Sequence, residues 1–136
     1  MSNQNIVRVR DVMAPTYVMI DGLSTVDEGI RIARQQGVKA LVVNKRHVDD
    51  EYGIVLMNDI AKKVLAKDRS PERTNIYEVM TKPALSVDPH MDVKYCARLF
   101  ERFGISRAPV IEDGQVIGMV SYNNIVLNGM APDDVA

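Results

Sequence analysis

The chain has 136 residues, 46% hydrophobic and 26% charged, the composition of a soluble globular protein built as one ordinary domain or two small units. Its 17 basic and 18 acidic residues leave a formal charge of −1, so no strong field draws it to nucleic acid or to an anionic membrane. Cys96 stands alone, which excludes an internal disulfide, and no apolar stretch reaches the ~20 residues that span a bilayer. Met1-Ser2-Asn3-Gln4-Asn5 lacks the basic patch and apolar run of a signal peptide, so a cytoplasmic protein is expected. In chain order, Tyr17-Val18-Met19-Ile20 reads as a short strand. Thr25 and Glu28 then form a capping box. Val26, Ile30 and Ala33 follow at helical spacing, and Gly37 closes the helix in a left-handed conformation. Ala40-Leu41-Val42-Val43 is an unbroken apolar run, as in a strand buried on both faces. A polar loop from Asn44 to Glu51 leads to the strand Gly53-Ile54-Val55-Leu56 and a helix from about Asn58 to Ala66.

Residues 67–75 are polar, contain Pro71 and read as a linker, after which the same order returns. Ala84-Leu85-Ser86-Val87 is the expected first strand, and a helix from about Asp92 to Phe103 ends at Gly104. In that helix Val93, Ala97 and Phe100 form the core stripe, with Cys96 and Phe103 on one flank. Ala108-Pro109-Val110-Ile111, a tight turn at Asp113-Gly114 and the strand from Gly118 complete the sheet. A shift of 67 positions aligns Val12-Met13 with Val79-Met80, Asp21 with Asp88, Gly37 with Gly104 and Val43 with Val110. Beyond the hairpin the shift is 65, matching Gly53 to Gly118, Val55 to Val120, Asn58 to Asn123 and Ile60 to Ile125. The chain is one β-α-β-β-α unit written twice, and pairing the copies buries the sheet that either alone leaves open. Ile32 and Leu99 are equivalent and lie off their helix stripes, which points to a second packing surface and a homodimer through the first helix of each repeat.

At the end of the last strand Ser121 precedes a helix, with Asn124 one turn on. The first free N–H groups of a helix can hold an anion, or the serine can simply cap them. The residues leave both readings open. These segments together resemble the cystathionine β-synthase (CBS) domain family. The likeness rests on Asp11-Val12-Met13, Gly37-Val38 through Leu41-Val42-Val43, and Gly53-Ile54-Val55 through Asp59-Ile60. In the second copy it rests on Glu78-Val79-Met80-Thr81, Gly104 through Val110, and Gly118-Met119-Val120-Ser121 through Asn124-Ile125. The resemblance implies an α/β (α+β) fold of two repeats about a pseudo-twofold axis, with domain 1 at 6–66 and domain 2 at 76–130, followed by a tail at 131–136. It further implies adenosine nucleotides (AMP, ADP or ATP) as regulatory ligands in the cleft between repeats, with no cofactor required.

On that resemblance Ser121 serves the phosphate side and Asn124 the ribose, while the first copy keeps Asp59 for the ribose but has Leu56 where the hydroxyl belongs. Arg107 is placed to pair with phosphate, and its counterpart is Ala40 with Lys39 beside it. Ala84 and Leu85, with Tyr17 and Val18, line an adenine slot, and Thr81, Ala108 and Pro109 complete the set. His47, Asp49, Asp50 and Glu51 read as a solvated loop without metal-ligand spacing, and Asp88, His90 and Asp92 as turn and cap residues. No catalytic triad and no phosphate-binding loop is present, so no enzyme is expected. The reading is a regulatory pair that relays energy state to an unknown protein. The alternative is a dimerisation module that binds no ligand.

Overall fold

Thr25 shows how the sequence sets the local structure of this chain, a computed structural model that describes residues 6–130. The Thr25 N–H and hydroxyl donate to Glu28 Oε1 at 2.8 and 3.1 Å, and the Glu28 N–H donates back to Thr25 Oγ1 at 3.1 Å. This reciprocal cap starts helix α2 (Val26–Gln36), which ends at Gly37 with φ 68°. Before it lie a single turn, α1 (Val9–Val12), and a two-residue strand, β1 (Met19–Ile20). Strand β2 (Ala40–Val43) is buried throughout and β3 (Gly53–Leu56) nearly so. Helix α3 (Met57–Ile60) continues as a π-helical turn over Ala61–Leu65. Helix α4 (Val93–Phe103) ends at Gly104 with φ 66°, repeating the stop of α2. Strands β4 (Arg107–Glu112) and β5 (Gln115–Ser121) are joined at Asp113-Gly114, both at positive φ, and α5 (Tyr122–Gly129) closes the chain.

The chain folds as two compact units. Unit 2 is Tyr17–Ala84, and unit 1 joins the described residues up to Thr16 to those from Leu85 onward. In unit 2 the strand order is β1-β2-β3, β1 parallel and β3 antiparallel to β2. Unit 1 pairs β4 with β5, and Val87 adds a parallel bridge to Val110 in the place of β1. Each unit has its own core: Leu41, Val55, Val64 and Ile76 among others in unit 2, and Val12, Cys96, Phe100 and Val110 in unit 1.

The leader of each repeat is packed into the unit formed by the other repeat's helices and strands. Val9 and Val12 lie in the core with Phe100 and Ile125, and Ala14 bridges Met119 on the free edge of β5. Correspondingly Ile76 and Val79 lie in the core with Leu41, and Thr81 bridges Ile54 on β3. Packing thus exchanges the two leaders, so the compact units do not follow the expected segments 6–66 and 76–130. The stretch expected as a linker, 67–75, is folded onto the start of α2: Thr74 is buried, its carbonyl accepts from Val26 N–H at 2.8 Å, and that of Pro71 accepts from Asp27 N–H at 3.0 Å. The tail at 131–136 lies outside the described residues.

Three expectations are corrected in detail. Ala84–Val87 forms no strand beyond the bridge at Val87, because the Ala84 N–H is still engaged with the Tyr52 carbonyl of unit 2, at 2.8 Å. The first strand is Met19–Ile20, although the Val18 carbonyl extends its ladder by accepting from Val42 N–H at 2.8 Å. On α4 the buried stripe is Val93, Cys96 and Phe100, while Phe103 is exposed, because Gly104 turns the chain before that ring reaches the core. Burial pushes the Cys96 thiol up to about 11, which makes it an inert core side chain.

The caps carry a pH signature. The Thr25 N–H and then its hydroxyl hold the Glu28 carboxyl below its ordinary 4.5. The Asn75 N–H, followed by the Arg69 guanidinium 2.6 Å away, does the same for Glu78. A carboxylate lowered in the fold stabilises it fully above the ordinary value and loses that contribution as pH falls through the folded value. The unfolding temperature should accordingly be flat near neutrality and fall below about pH 4.5, with a shallower fall in Glu28→Gln. Identical profiles for the two proteins would contradict the assignment.

Candidate functional site

The junction of β5 with α5 is where the sequence concentrates its polar chemistry in unit 1. Ser121 ends β5 and is 8% exposed. Tyr122, the first residue of α5, sets its ring edge-on to Phe100, centroids 5.3 Å apart and planes at 84°, and its N–H donates to the Ser106 carbonyl at 3.0 Å. These contacts hold the helix start in place. The Asn124 N–H donates to Ser121 Oγ at 3.2 Å, and Asn124 Oδ1 accepts from the Ser121 N–H at 2.9 Å and from its hydroxyl at 3.1 Å. Ser121 is thus an N-cap in a capping box, the plainer of the two readings its sequence left open. Asn124 Nδ2 takes no part in it and has no partner among the described residues.

Arg107 stands directly opposite Ser121 in the β4–β5 ladder, and residues so paired project from the same face of a sheet. Arg107 is half-buried, and its guanidinium forms no hydrogen bond or ion pair among the described residues. Ala108 and Pro109, next along β4, are buried and pair with Val120 and Met119, and Leu85 packs half-buried against the same core. The structure therefore groups Arg107, Ser121 and Asn124 at one edge of unit 1.

The equivalent edge of unit 2 is apolar where unit 1 is polar. Ala40 pairs with Leu56, and Leu56 caps α3 with no side-chain hydrogen bond. Asp59 sits in the first turn of α3, half-buried and without a partner among the described residues. Lys39 is exposed, and its carbonyl accepts from Met57 N–H at 3.0 Å, which places its backbone at the same junction. Thr81 is engaged through its backbone with Ile54, at 2.8 and 2.9 Å, and Ala84 with Tyr52. Tyr17 is exposed, and Val18 packs against the core of unit 2. Asp59 and Lys39 thus share a junction, whereas Tyr17, Val18, Thr81 and Ala84 serve the sheet and its edge.

The loop 44–51 is more than a solvated hairpin. Asp50 accepts from Lys82 Nζ at 2.8 Å and from the Arg46 N–H at 2.8 Å. Lys82, then the N–H groups of Arg46 and Glu51, hold its carboxyl far below the ordinary carboxylate range. The sequence reading missed Lys82, 32 positions away, for want of any local spacing that links the two. No group of three or more His, Cys, Asp or Glu side chains among the described residues is placed to hold a metal ion. No helix among them is long and apolar enough to cross a membrane.

A family model described as "CBS domain" matches residues 76–129. The fold is similar to a hexameric CBS-CP12 protein from bloom-forming cyanobacteria, with a TM-score of 0.89 and 33% identity, covering 95% of this chain and 76% of that one. It is similar in fold, at 24% identity and a TM-score of 0.78, to the CBS domain pair of protein MJ0100, solved with 5′-methylthioadenosine and S-adenosyl-L-methionine; the match covers 90% of this chain and 95% of that one. The CBS domain-containing protein YhcV of Bacillus subtilis is 25% identical over 123 residues, 90% of this chain and 86% of its own length. The chain spans about half the length of some other relatives it matches, 47% and 51% in two of them. Two enzymes among the relatives share only 24% and 25% of their length with it.

Proposed function

This chain belongs to the CBS-domain family as a pair of repeats, and from that premise we propose that it is a regulatory module in which unit 1 binds an adenosine nucleotide (AMP, ADP or ATP) at the β5–α5 junction and relays occupancy to a protein partner. The observation that carries this reading is the unpaired guanidinium of Arg107 opposite Ser121, one turn from the free amide of Asn124. A guanidinium without a protein partner is a ready phosphate donor, and the Asn124 Nδ2 can donate to a ribose oxygen. The Tyr122 N–H is already engaged by the Ser106 carbonyl and the Asn124 N–H by Ser121 Oγ, so a phosphate there would meet Arg107 and the Asn123 N–H. At the equivalent junction unit 2 offers Asp59, with Leu56 in the place of Ser121, which makes one site per chain the expectation. The adenosine-derived ligands of the MJ0100 pair fit the same ligand class. Association of copies through α2 and α4 also belongs to the proposal. Ile32 and Leu99 each pack only partly against their own core, and Leu99 lines a shallow groove with Met91, Tyr95 and Arg98.

Thermal unfolding with and without AMP, ADP, ATP or S-adenosylmethionine tests the site. Ligand at 100 times its dissociation constant adds ~2.7 kcal/mol to stability. Arg107→Ala should erase the shift while leaving the capping box intact, whereas Asn124→Ala should erase it and also lose the side-chain half of the box, ~0.5–1.5 kcal/mol for a hydrogen bond, while its backbone N–H keeps the bond to Ser121 Oγ. An unshifted wild-type protein that sediments as an oligomer would favour the second reading, an interaction module without ligand. That reading draws on Leu56 and on the Ser121–Asn124 cap, which spends two polar atoms internally.

A further inference from the structure

Unit 2 contains a cavity of about 150 Å³ at the end of the sheet where β1 and β2 finish. Gly22, which has no side chain, is part of its lining. A Cβ there would meet Val43 Cγ1 at 3.5 Å and Tyr77 Cβ at 3.6 Å, ordinary contact distances. In the other repeat the equivalent residue, 67 positions on, is Pro89, which is buried. The surrounding backbone is the same in both, since the Gly22 carbonyl accepts from Tyr77 N–H at 2.9 Å and the Pro89 carbonyl from Arg10 N–H at 2.9 Å. One copy carries a buried proline at this position, where the other carries a glycine beside the cavity.

The open copy also surrounds it with charge of both signs. Lys82, on the rim, is neutralised by Asp50, whose bond to the Arg46 N–H anchors the hairpin loop beside the cavity. Arg46, an exposed residue, also lines the cavity, and its guanidinium has no partner among the described residues. Asp21, which also lines the cavity, accepts only the Leu23 N–H among the described residues, at 2.8 Å on Oδ1, so its second oxygen is unused. Val43 and Met80 supply an apolar wall. A simple anion here would be opposed by Asp21, and a simple cation by Arg46, and an unpaired charge is costly to desolvate. A small zwitterion meets both groups. The volume holds the equivalent of roughly five water molecules at ~30 Å³ each. It is well below the ~300 Å³ at which cofactor pockets begin, which excludes a nucleotide.

We propose that this cavity binds a free α-amino acid with a short apolar side chain, its carboxylate on Arg46, its ammonium on Asp21 and its side chain against Val43 and Met80. The site lies wholly within unit 2 and does not rest on the nucleotide reading. Amide chemical shifts of the full chain, titrated with L-valine, L-leucine or L-methionine at millimolar concentrations, test it. Saturating shifts are expected at Gly22, Val43, Asn44 and Arg46 for at least one of the three. Isovalerate and isopentylamine, which each carry one of the two charges, should bind at least tenfold more weakly. Arg46→Ala should weaken binding about tenfold or more, as should Asp21→Asn, which keeps the turn to Leu23; tenfold is about 1.4 kcal/mol. Gly22→Ala should abolish binding with the rest of the spectrum unchanged, and Arg107→Ala should leave it intact, so this site and the nucleotide site are judged apart. Absence of saturating shifts with all three amino acids would overturn the proposal. So would isovalerate binding as tightly as the amino acids, or Arg46→Ala binding as the parent does.

Discussion

Replacing Phe100 by alanine is expected to destabilise the protein by about 3–5 kcal/mol, the usual cost of removing a buried aromatic ring. Phe100 is 0% exposed and sits at the centre of the unit 1 core, among Val9, Val12, Val110 and Ile125. The side chain reaches that position because α4 carries Val93, Cys96 and Phe100 on one face, at helical spacing. Its loss leaves a cavity that β-branched neighbours on a two-stranded sheet cannot collapse to fill. It also removes the edge-to-face contact with Tyr122, worth ~0.5–1.5 kcal/mol beyond burial, and that ring is the first residue after Ser121. On the proposed nucleotide reading, the variant should lose the ligand-induced shift as well as stability. Urea denaturation should show a lower midpoint with unchanged slope, and amide exchange should rise first at Ala108 and Val120. A loss below about 1 kcal/mol, the size of an ordinary substitution, would show that Phe100 is not the centre of this core.

The second large effect is expected from Gly118→Ala. A Cβ at Gly118 would collide with the backbone oxygen of Ala14, and it would stand 3.2 Å from Met13 Sδ. That oxygen accepts from Met119 N–H at 2.9 Å while the Ala14 N–H donates to the Met119 carbonyl at 2.8 Å, so the new methyl forces the leader off the edge of β5. Overpacking of this kind costs ~1–3 kcal/mol, and the two broken hydrogen bonds place this case at the upper end or beyond. The equivalent change, Gly53→Ala, should cost less. There the nearest atom is the Met80 sulfur at 2.9 Å, the end of a flexible side chain, with the Thr81 carbonyl farther off at 3.3 Å. The ranking is the test: paired denaturation curves in which Gly53→Ala is the more damaging variant would contradict the docking of the leaders.

What the sequence determined by itself was whatever local chemistry decides. Thr25 with Glu28, Gly37 with Gly104, Asp113-Gly114 and the apolar run Ala40–Val43 all formed as their residue types require, since caps, left-handed stops and strand burial depend on neighbours a few positions away. The duplication was equally legible, because two copies of one unit must repeat their glycines and their core positions. At the junction, the sequence named Ser121, Asn124 and Arg107 but left open whether the serine caps or binds; only the fold put Arg107 across from Ser121 and joined Ser121 to Asn124. Tertiary structure alone decided that each leader packs into the other repeat's unit, and so why Gly53 and Gly118 must lack side chains. It alone paired Lys82 with Asp50 and opened a cavity beside Gly22, whose counterpart in the other repeat is the buried Pro89. These contacts join residues dozens of positions apart, and no periodicity or spacing along a chain encodes which distant partner a charge or a missing Cβ will meet.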